Sequence, residues 1–330
     1  MFIASHHDRK SDKIVVWEKS ETGKRITRSY DSPYDFYVPD QNGPFKAVTG
    51  IKLSKLTFSN KREFDEACRS HPLRFESDIS PQEKVMMSYF GKKVPILNVG
   101  YIDIEVDYDP NVGFSSPSNA YAPINAITLY RSDIKTYITL AVAHQDWKGS
   151  LPDNMLEDNY FLYRSERELL ENFFVWIEDC DVLTGWNSEF FDLPYIGKRI
   201  ELLFGQSAIK RLAFPDGPAP RWGEKDRFKG ATKKELVLEL GSRIHLDYMA
   251  LFKKFTLGGR QSYSLASITE DELDVPKLKY EGTLAELYQG TYRPNLNSIK
   301  PEKECDDLYR ANVEREQIRQ EIERRGLSVT

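Results

Sequence analysis

Apolar and polar residues alternate most clearly in a stretch that ends at Val106. Ile102, Ile104 and Val106 fall on one face of the predicted strand, and Asp103 and Glu105 fall on the other. Shorter apolar stretches bounded by turn residues predict further strands at 13–17, 23–30, 36–38, 53–58, 124–130, 137–142, 182–186 and 236–240.

Helical spacing follows several capping signals. Ser165 and Glu168 form a capping box ahead of apolar residues that recur at helical spacing as far as Ile177, and Asn60 with Glu63 forms a variant of that box. Other helices are expected at 193–204, 247–255 and 264–273, and at 300–325, where charged residues leave only a thin apolar stripe. Strands that alternate with helices beyond residue 95 indicate an α/β layer architecture, preceded by a strand-rich region.

Composition limits the class of protein. A chain of 330 residues suggests about two domains, and its net charge of −5 excludes a polycation that coats nucleic acid by bulk attraction, although a local basic groove stays open. No apolar run reaches 18 residues, and the polar N-terminus lacks the apolar core of a secretory signal, so we expect no membrane segment. Three widely spaced cysteines (Cys68, Cys180 and Cys305) predict a reducing cytoplasm.

Asp103 and Glu105 point to metal chemistry. Residues i and i+2 of a strand share a face about 6.5–7 Å apart, and two carboxylates held there repel each other unless a divalent cation compensates them. Oxygen ligands favour Mg²⁺ or Mn²⁺, and two such ions about 4 Å apart hydrolyse phosphodiesters in many enzymes. The alternative is a solvent-facing edge of an amphipathic strand.

A second stretch, 183–196, carries another acid. A predicted strand ends at a turn that contains Asn187, and Asp192 follows at the start of a helix with Pro194 in its first turn. From the residues alone, Asp192 could serve as a helix N-terminal charge and Asn187 as a turn residue.

Together these stretches resemble family B DNA polymerases. Asp103-Ile104-Glu105 resembles the first exonuclease motif of that family, and 183–196 resembles the second, whose Asn-x-x-x-Phe-Asp core falls at 187–192. Further stretches are similar in the same order to polymerases of the T-even-type bacteriophages: 30–38, Asp247-Tyr248, 251–255, 262–265 and 277–282. The similarity extends from about residue 10 to about residue 290.

The resemblance implies a fold and an activity. It implies a ribonuclease H-like, mixed-sheet α/β exonuclease domain at 96–292, a smaller strand-rich α+β polymerase N-terminal domain at 1–95, and a charged tail at 293–330 that is not family-like. The implied activity is 3′→5′ proofreading of single-stranded DNA ends during replication by two-metal hydrolysis with Mg²⁺ or Mn²⁺. Asp103, Glu105 and Asp192 would be the catalytic metal ligands, Asn187 would position substrate, and Phe191 would give apolar support.

A protruding hairpin is expected near 221–240, after a segment rich in Pro, Gly and charge. The resemblance implies that this hairpin helps to move a primer end between duplex and exonuclease site; an ordinary solvated loop is the alternative. Six basic residues suit contacts with the DNA backbone: Arg221, Lys225, Arg227, Lys229, Lys233 and Lys234.

The family's third exonuclease motif, Tyr-x-x-x-Asp, is missing from its expected place. Tyr288, Tyr292 and Tyr309 each lack an aspartate four residues later, and Asp306 and Asp307 fit a solvated helix face better. The Asp-Thr-Asp motif of the polymerase palm is also absent. We therefore expect the chain to be part of a split or truncated phage polymerase that works in the cytoplasm of the host cell. By itself it should not synthesise DNA.

Exonuclease activity of such a chain should be weak unless a second polypeptide, carrying palm, fingers and thumb, supplies the missing Tyr and Asp. Its partners would then be that polypeptide and primer-template DNA. The alternative is a catalytically idle fragment that binds DNA or a partner.

Overall fold

The computed structural model describes residues 1–109, 111–143, 159–227 and 232–277. These residues belong to two compact units, of which the first comprises Met1–Ile96 with Asp216–Pro218. The second unit takes the remainder of the described chain and contains the acidic residues singled out above.

The first unit is built from two three-stranded antiparallel sheets, in the orders β1-β2-β3 and β4-β6-β5. Its elements are β1 (Phe2–Asp8), β2 (Lys13–Lys19), β3 (Arg25–Asp31), β4 (Tyr34–Pro39), β5 (Phe45–Lys46), β6 (Lys52–Phe58), α1 (Lys61–Ser70) and α2 (Pro81–Met87). Ile14 and Val16 of β2 and Val85 of α2 form a small buried cluster.

Two elements of this unit differ from the sequence-based prediction. Strand β1 is largely polar and was not expected, but it pairs along its length with the apolar β2. Ser80 and Pro81 were interpreted only as a turn signal, whereas they start α2. The Ser80 side chain accepts a hydrogen bond from the Glu83 backbone N–H, the Glu83 carboxylate accepts one from the Ser80 backbone N–H, and the proline lies in the first turn.

The second unit contains a six-stranded mixed sheet in the order β10-β9-β8-β7-β11-β14. Strands β7 to β9 form an antiparallel meander, while β10, β11 and β14 pair in parallel with their neighbours. The strands of this unit, with the hairpin β12–β13, are β7 (Val99–Val106), β8 (Ile124–Arg131), β9 (Thr136–Val142), β10 (Tyr160–Tyr163), β11 (Val182–Gly185), β12 (Arg221–Asp226), β13 (Lys234–Glu239) and β14 (Ile244–Asp247). This arrangement confirms the α/β class.

Within its described residues, four α-helices accompany the sheet: α3 (Glu166–Ile177), α4 (Asp192–Phe204), α5 (Tyr248–Phe255) and α6 (Leu265–Leu273). Ser165, Asp247 and Ser264 each cap a helix by accepting a backbone N–H, so the predicted starts of α3, α5 and α6 are confirmed within a residue or two. None of the helices in the described part of the chain has the length and apolar character needed to cross a membrane.

The main core lies between the six-stranded sheet and the helices α3 and α4. Ile102 and Ile104 of β7 pack in one cluster with Phe173 of α3 and Tyr195 of α4, and each buried side chain of this size contributes about 1.5–3 kcal/mol. The Tyr195 hydroxyl also donates to the carbonyl of Ala122, at 2.8 Å. This packing holds α4 against β7, and Asp192 is the first residue of that helix.

Several predicted features lie outside the described residues. They are the helix at 300–325, the tyrosines and aspartates considered for a third motif (Tyr288, Tyr292, Tyr309, Asp306 and Asp307), and Lys229 of the predicted basic set.

Candidate active site

Strand β7 presents its two acids on one face. Ile102 and Ile104 are buried on the core side, while Asp103 and Glu105 lie on the opposite side, as the alternation predicted. Partial burial raises the pKa of the Asp103 carboxyl. The strand therefore holds two carboxylates side by side without burying them in the core.

Strand β11 ends beside β7 at a close backbone approach. A side chain at Gly185 would place its Cβ atom 2.5 Å from the Ile102 carbonyl oxygen and 2.9 Å from Cβ of Ser188. A glycine is needed because any larger residue would push the following loop away from β7. That loop leads directly into α4, so Gly185 helps to bring Asp192 next to β7.

Asp192 is almost fully buried at the start of α4. One of its carboxylate oxygens, Oδ1, accepts the backbone N–H of Ile104 at 3.1 Å, three residues beyond Tyr101, the last residue of β7 that pairs with β11. Burial, and then the nearby carboxylates of Asp103 and Asp247, raise the pKa of Asp192 to about 7. The acid of the second predicted motif, Asp192, thus lies close to Asp103 of the first motif.

Asp247 is a site residue that the sequence reasoning missed. It ends β14, which pairs in parallel with β11, so Asp247 lies opposite Gly185. Its carboxylate accepts backbone N–H groups from Asn187 at 3.3 Å, Glu189 at 3.0 Å and Ala250 at 3.2 Å. Both oxygens are engaged in this way, which indicates that Asp247 anchors the loop before α4 and the start of α5.

A Ser–His pair supports the same loop. The hydroxyl of Ser188 lies 3.0 Å from Nε2 of His245, and the Ser188 carbonyl accepts the backbone N–H of Leu193 at 3.1 Å. Burial lowers the pKa of His245 to about 4, so the ring is neutral at neutral pH. The sequence offered no signal for this pair, because its members are joined only through the parallel pairing of β11 and β14.

Asn187 and Phe191 occupy the loop as predicted, in different environments. Asn187 adopts a left-handed backbone conformation (φ 63°), which asparagine tolerates better than most residues. Phe191 precedes the first turn of α4, and its ring centroid lies 5.5 Å from that of Tyr195. Both side chains are half-buried, but the Phe191 ring packs against the main core.

The predicted hairpin is formed by β12 and β13 and packs on α4. The indole N–H of Trp222 donates to Glu201 at 2.7 Å, and a side chain larger than hydrogen at Gly197 would meet Leu238 at 2.6 Å. The described members of the predicted basic set are exposed along this hairpin and its ends: Arg221, Lys225, Arg227, Lys233 and Lys234. Two of them, Lys225 and Arg227, contact the loop before α4.

The described residues contain no group of three or more acidic, histidine or cysteine side chains arranged to hold a metal ion. The metal-ligand role of Asp103, Glu105 and Asp192 therefore stays a prediction. The structure brings Asp103 and Asp192 near enough for their charges to interact, and it places Glu105 on the same strand face as Asp103.

Comparisons with known proteins agree with this geometry. The family model described as "DNA polymerase family B, exonuclease domain" matches residues 51–268. The DNA-directed DNA polymerase of Escherichia phage RB69 is 34% identical over 218 residues, covering 60% of this chain and 23% of that protein. That of Enterobacteria phage T4 is 29% identical over 316 residues, covering 86% and 34%.

A third similar protein is also a DNA polymerase. DNA polymerase 1 of Sulfurisphaera ohwakuensis is 33% identical over 204 residues, covering 57% of this chain and 22% of that protein. The chain thus spans between about a fifth and a third of the length of these relatives. The match and the six-stranded mixed sheet together confirm the ribonuclease H-like exonuclease fold expected from the resemblance.

Proposed function

The chain belongs to the family B DNA polymerases through its exonuclease domain, and from this premise we propose that it removes nucleotides from the 3′ end of single-stranded DNA. Asp103, Glu105 and Asp192 would hold divalent cations, with Mg²⁺ or Mn²⁺ preferred. The setting would be proofreading during replication of a phage genome.

The observation that carries this proposal is the burial of Asp192 beside other acids. The residue is 3% exposed, yet the neighbouring charges that affect its pKa most are those of two further carboxylates, Asp103 and Asp247. Carboxylate oxygens crowded in this way fit a hard divalent cation, which removes both the repulsion and the cost of burial. Bound cations would supply an activated water and stabilise charge on the leaving 3′ oxygen.

The protein's own residues would orient the strand. Asn187 lies on the loop that leads to Asp192, and its side-chain amide would hydrogen-bond a sugar or phosphate oxygen of the terminal nucleotide. Exposed lysines and arginines of the hairpin would contact the phosphate backbone and fix its register. Phe191 would keep this loop packed on α4 through Tyr195.

A cleavage assay tests the proposal. A single-stranded oligonucleotide with a 5′ fluorescent label should shorten from its 3′ end in Mg²⁺ or Mn²⁺ and stay intact in chelator. Asp103→Ala should lower the rate at least about a hundredfold, because a carboxylate of the proposed metal site is lost. The control substrate is the same oligonucleotide with a 3′ phosphate, which blocks the end from which shortening is expected. Shortening that is unchanged in Asp103→Ala would place the activity elsewhere.

A binding-only role is the second candidate, favoured by the absence of a Tyr-x-x-x-Asp motif from the sequence beyond residue 282. A chain of this kind would bind the oligonucleotide without shortening it. Adding a polypeptide with the polymerase palm and that motif separates the two roles: we expect the rate to rise if the site is incomplete. Intact binding with no cleavage in either case would support the binding-only role.

A further inference from the structure

The hairpin is joined to the loop before α4 by two basic side chains. Arg227, the residue after β12, donates from Nη2 to Oδ1 of Asn187 at 3.0 Å. Nζ of Lys225 lies 2.7 Å from Oε1 of Glu189 on the same loop. The Arg227 guanidinium also lies 5.7 Å from the ring centroid of Phe190. These contacts connect the hairpin to the residue proposed to position substrate.

The backbone of Asn187 is fixed independently of this contact. Its N–H donates to Asp247 at 3.3 Å, and its carbonyl accepts the N–H groups of Phe190 and Phe191, each at 3.2 Å. These bonds hold the main chain in the left-handed conformation but leave the side-chain amide to be oriented by its own partner. In the structure, Arg227 is that partner.

Donor and acceptor chemistry decides which way the amide faces. A guanidinium group has only donors, so Asn187 must turn its oxygen toward Arg227. The two N–H donors of Nδ2 are then turned away from Arg227 and can donate to an oxygen of a nucleic-acid strand. Glu235 of β13 lies 3.4 Å from Nη1 of Arg227 and holds the other end of the guanidinium. A chain of contacts thus runs from β13 through Arg227 to Asn187.

We infer that Arg227 is a positioning residue, which fixes the Asn187 amide for binding of the DNA strand and so couples the hairpin to the exonuclease site. This inference rests on the proposed function. It differs from the expectation that Arg227 contacts a phosphate, because the guanidinium acts here through Asn187. A direct phosphate contact would contribute to binding whatever residue stood at position 187.

A double-mutant cycle on the full chain distinguishes these roles. The affinity for a fluorescein-labelled (dT)₁₂ oligonucleotide is measured by anisotropy in Ca²⁺. Arg227→Ala and Asn187→Ala should each raise Kd about threefold to tenfold, the range for one hydrogen bond. In the Asn187→Ala background, Arg227→Ala should then change Kd by less than about 1.5-fold. Asn187→Asp, which keeps an acceptor for Arg227 but loses the donors, should weaken binding at least as much as Asn187→Ala.

Arg62→Ala is the matched control, because Arg62 is an exposed arginine of the first unit whose loss removes the same charge. Additive effects of the Arg227 and Asn187 substitutions, with a salt dependence reduced by about one ion for Arg227→Ala, would overturn the inference in favour of a phosphate contact. Equal Kd values for Arg227→Ala and Arg62→Ala would also overturn it. Absence of binding by the wild-type chain would instead overturn the proposed function, and the inference with it.

Discussion

Replacing Asp192 by asparagine should stabilise the metal-free protein while abolishing metal-dependent cleavage. The pKa of this carboxyl is raised from 3.8 to about 7 because it is buried near two other acids. A shift of about three units corresponds to roughly 4 kcal/mol of unfavourable free energy for the ionised form. Loss of a charge that the helix N-terminus favours, and the weaker hydrogen bond that a neutral amide accepts, together offset about 1–2 kcal/mol. Asparagine can still accept the Ile104 N–H, so the expected net gain at pH 8 is about 2–3 kcal/mol.

The pH dependence follows from the sign of the shift. Between the unfolded pKa of 3.8 and the folded pKa of about 7, the folded state binds more protons at Asp192 than the unfolded state does. The contribution of Asp192 to stability therefore falls as pH rises through this window and is constant above it. The advantage of Asp192→Asn should be small near pH 4, grow up to pH 7 and then stay level.

Thermal unfolding in chelator at several pH values measures this effect. For a unit of this size, about 2–3 kcal/mol corresponds to an increase in Tm of roughly 4–12 °C at pH 8. Mg²⁺ should raise the Tm of the wild type and leave that of Asp192→Asn nearly unchanged. Asp226→Asn, at an exposed position of β12, serves as a control and should change stability by less than about 0.5 kcal/mol. A less stable Asp192→Asn at pH 8 would contradict the argument.

Local sequence signals predicted the parts of the site that local structure builds. Alternation along β7 placed Asp103 and Glu105 on one face, because a strand turns successive side chains to opposite sides. The prediction that Asp192 starts a helix was confirmed, since that position depends on a turn and on residues within the next few positions. The hairpin was also predicted, from a segment rich in Pro, Gly and charge ahead of the strand expected at 236–240.

Residues joined by long-range pairing could not be predicted in the same way. Asp247 was noted as the start of a helix and as part of a family-like stretch, but not as a site residue, because its contact with the Asn187 loop depends on the parallel pairing of β14 with β11. The hydrogen bond from Arg227 to Asn187 likewise depends on how the hairpin packs on α4. From the sequence, Arg227 was one basic residue of a predicted hairpin, which suggested only a DNA contact. Alternation and capping carry no information about such distant partners.

The buried ion pair between α3 and α4 was missed for the same reason. Glu166 and Arg199 are 8% and 6% exposed, and Nε of Arg199 donates to Oε1 of Glu166 at 2.7 Å. The arginine also donates to the Ala120 carbonyl at 3.0 Å, and the glutamate accepts the Ile124 N–H at 2.9 Å. This network joins both helices to the segment that leads into β8, and α4 carries Asp192.

Removing one partner of this pair should therefore be the most destabilising change in the exonuclease domain that we predict. Arg199→Met leaves the Glu166 carboxylate buried without its counter-charge, a loss of about 3–5 kcal/mol in the free energy of unfolding. The double variant Glu166→Leu with Arg199→Met should recover much of that loss, because two apolar side chains of similar size leave no charge to compensate. Urea unfolding of the single and double variants measures the difference.

The exposed Arg62–Glu66 pair offers the matched comparison, since Arg62→Ala should cost less than about 0.5 kcal/mol there. A double variant that is less stable than Arg199→Met alone would show that the hydrogen bond from Ile124 to Glu166, which only the double variant removes, outweighs the cost of the unpaired charge. For the single variant and for the double variant, we expect the rate of DNA cleavage to fall in proportion to the fraction of molecules in which α4 is folded. The dependence arises because the position of Asp192 relative to β7 is set by the packing of that helix and not by the loop alone.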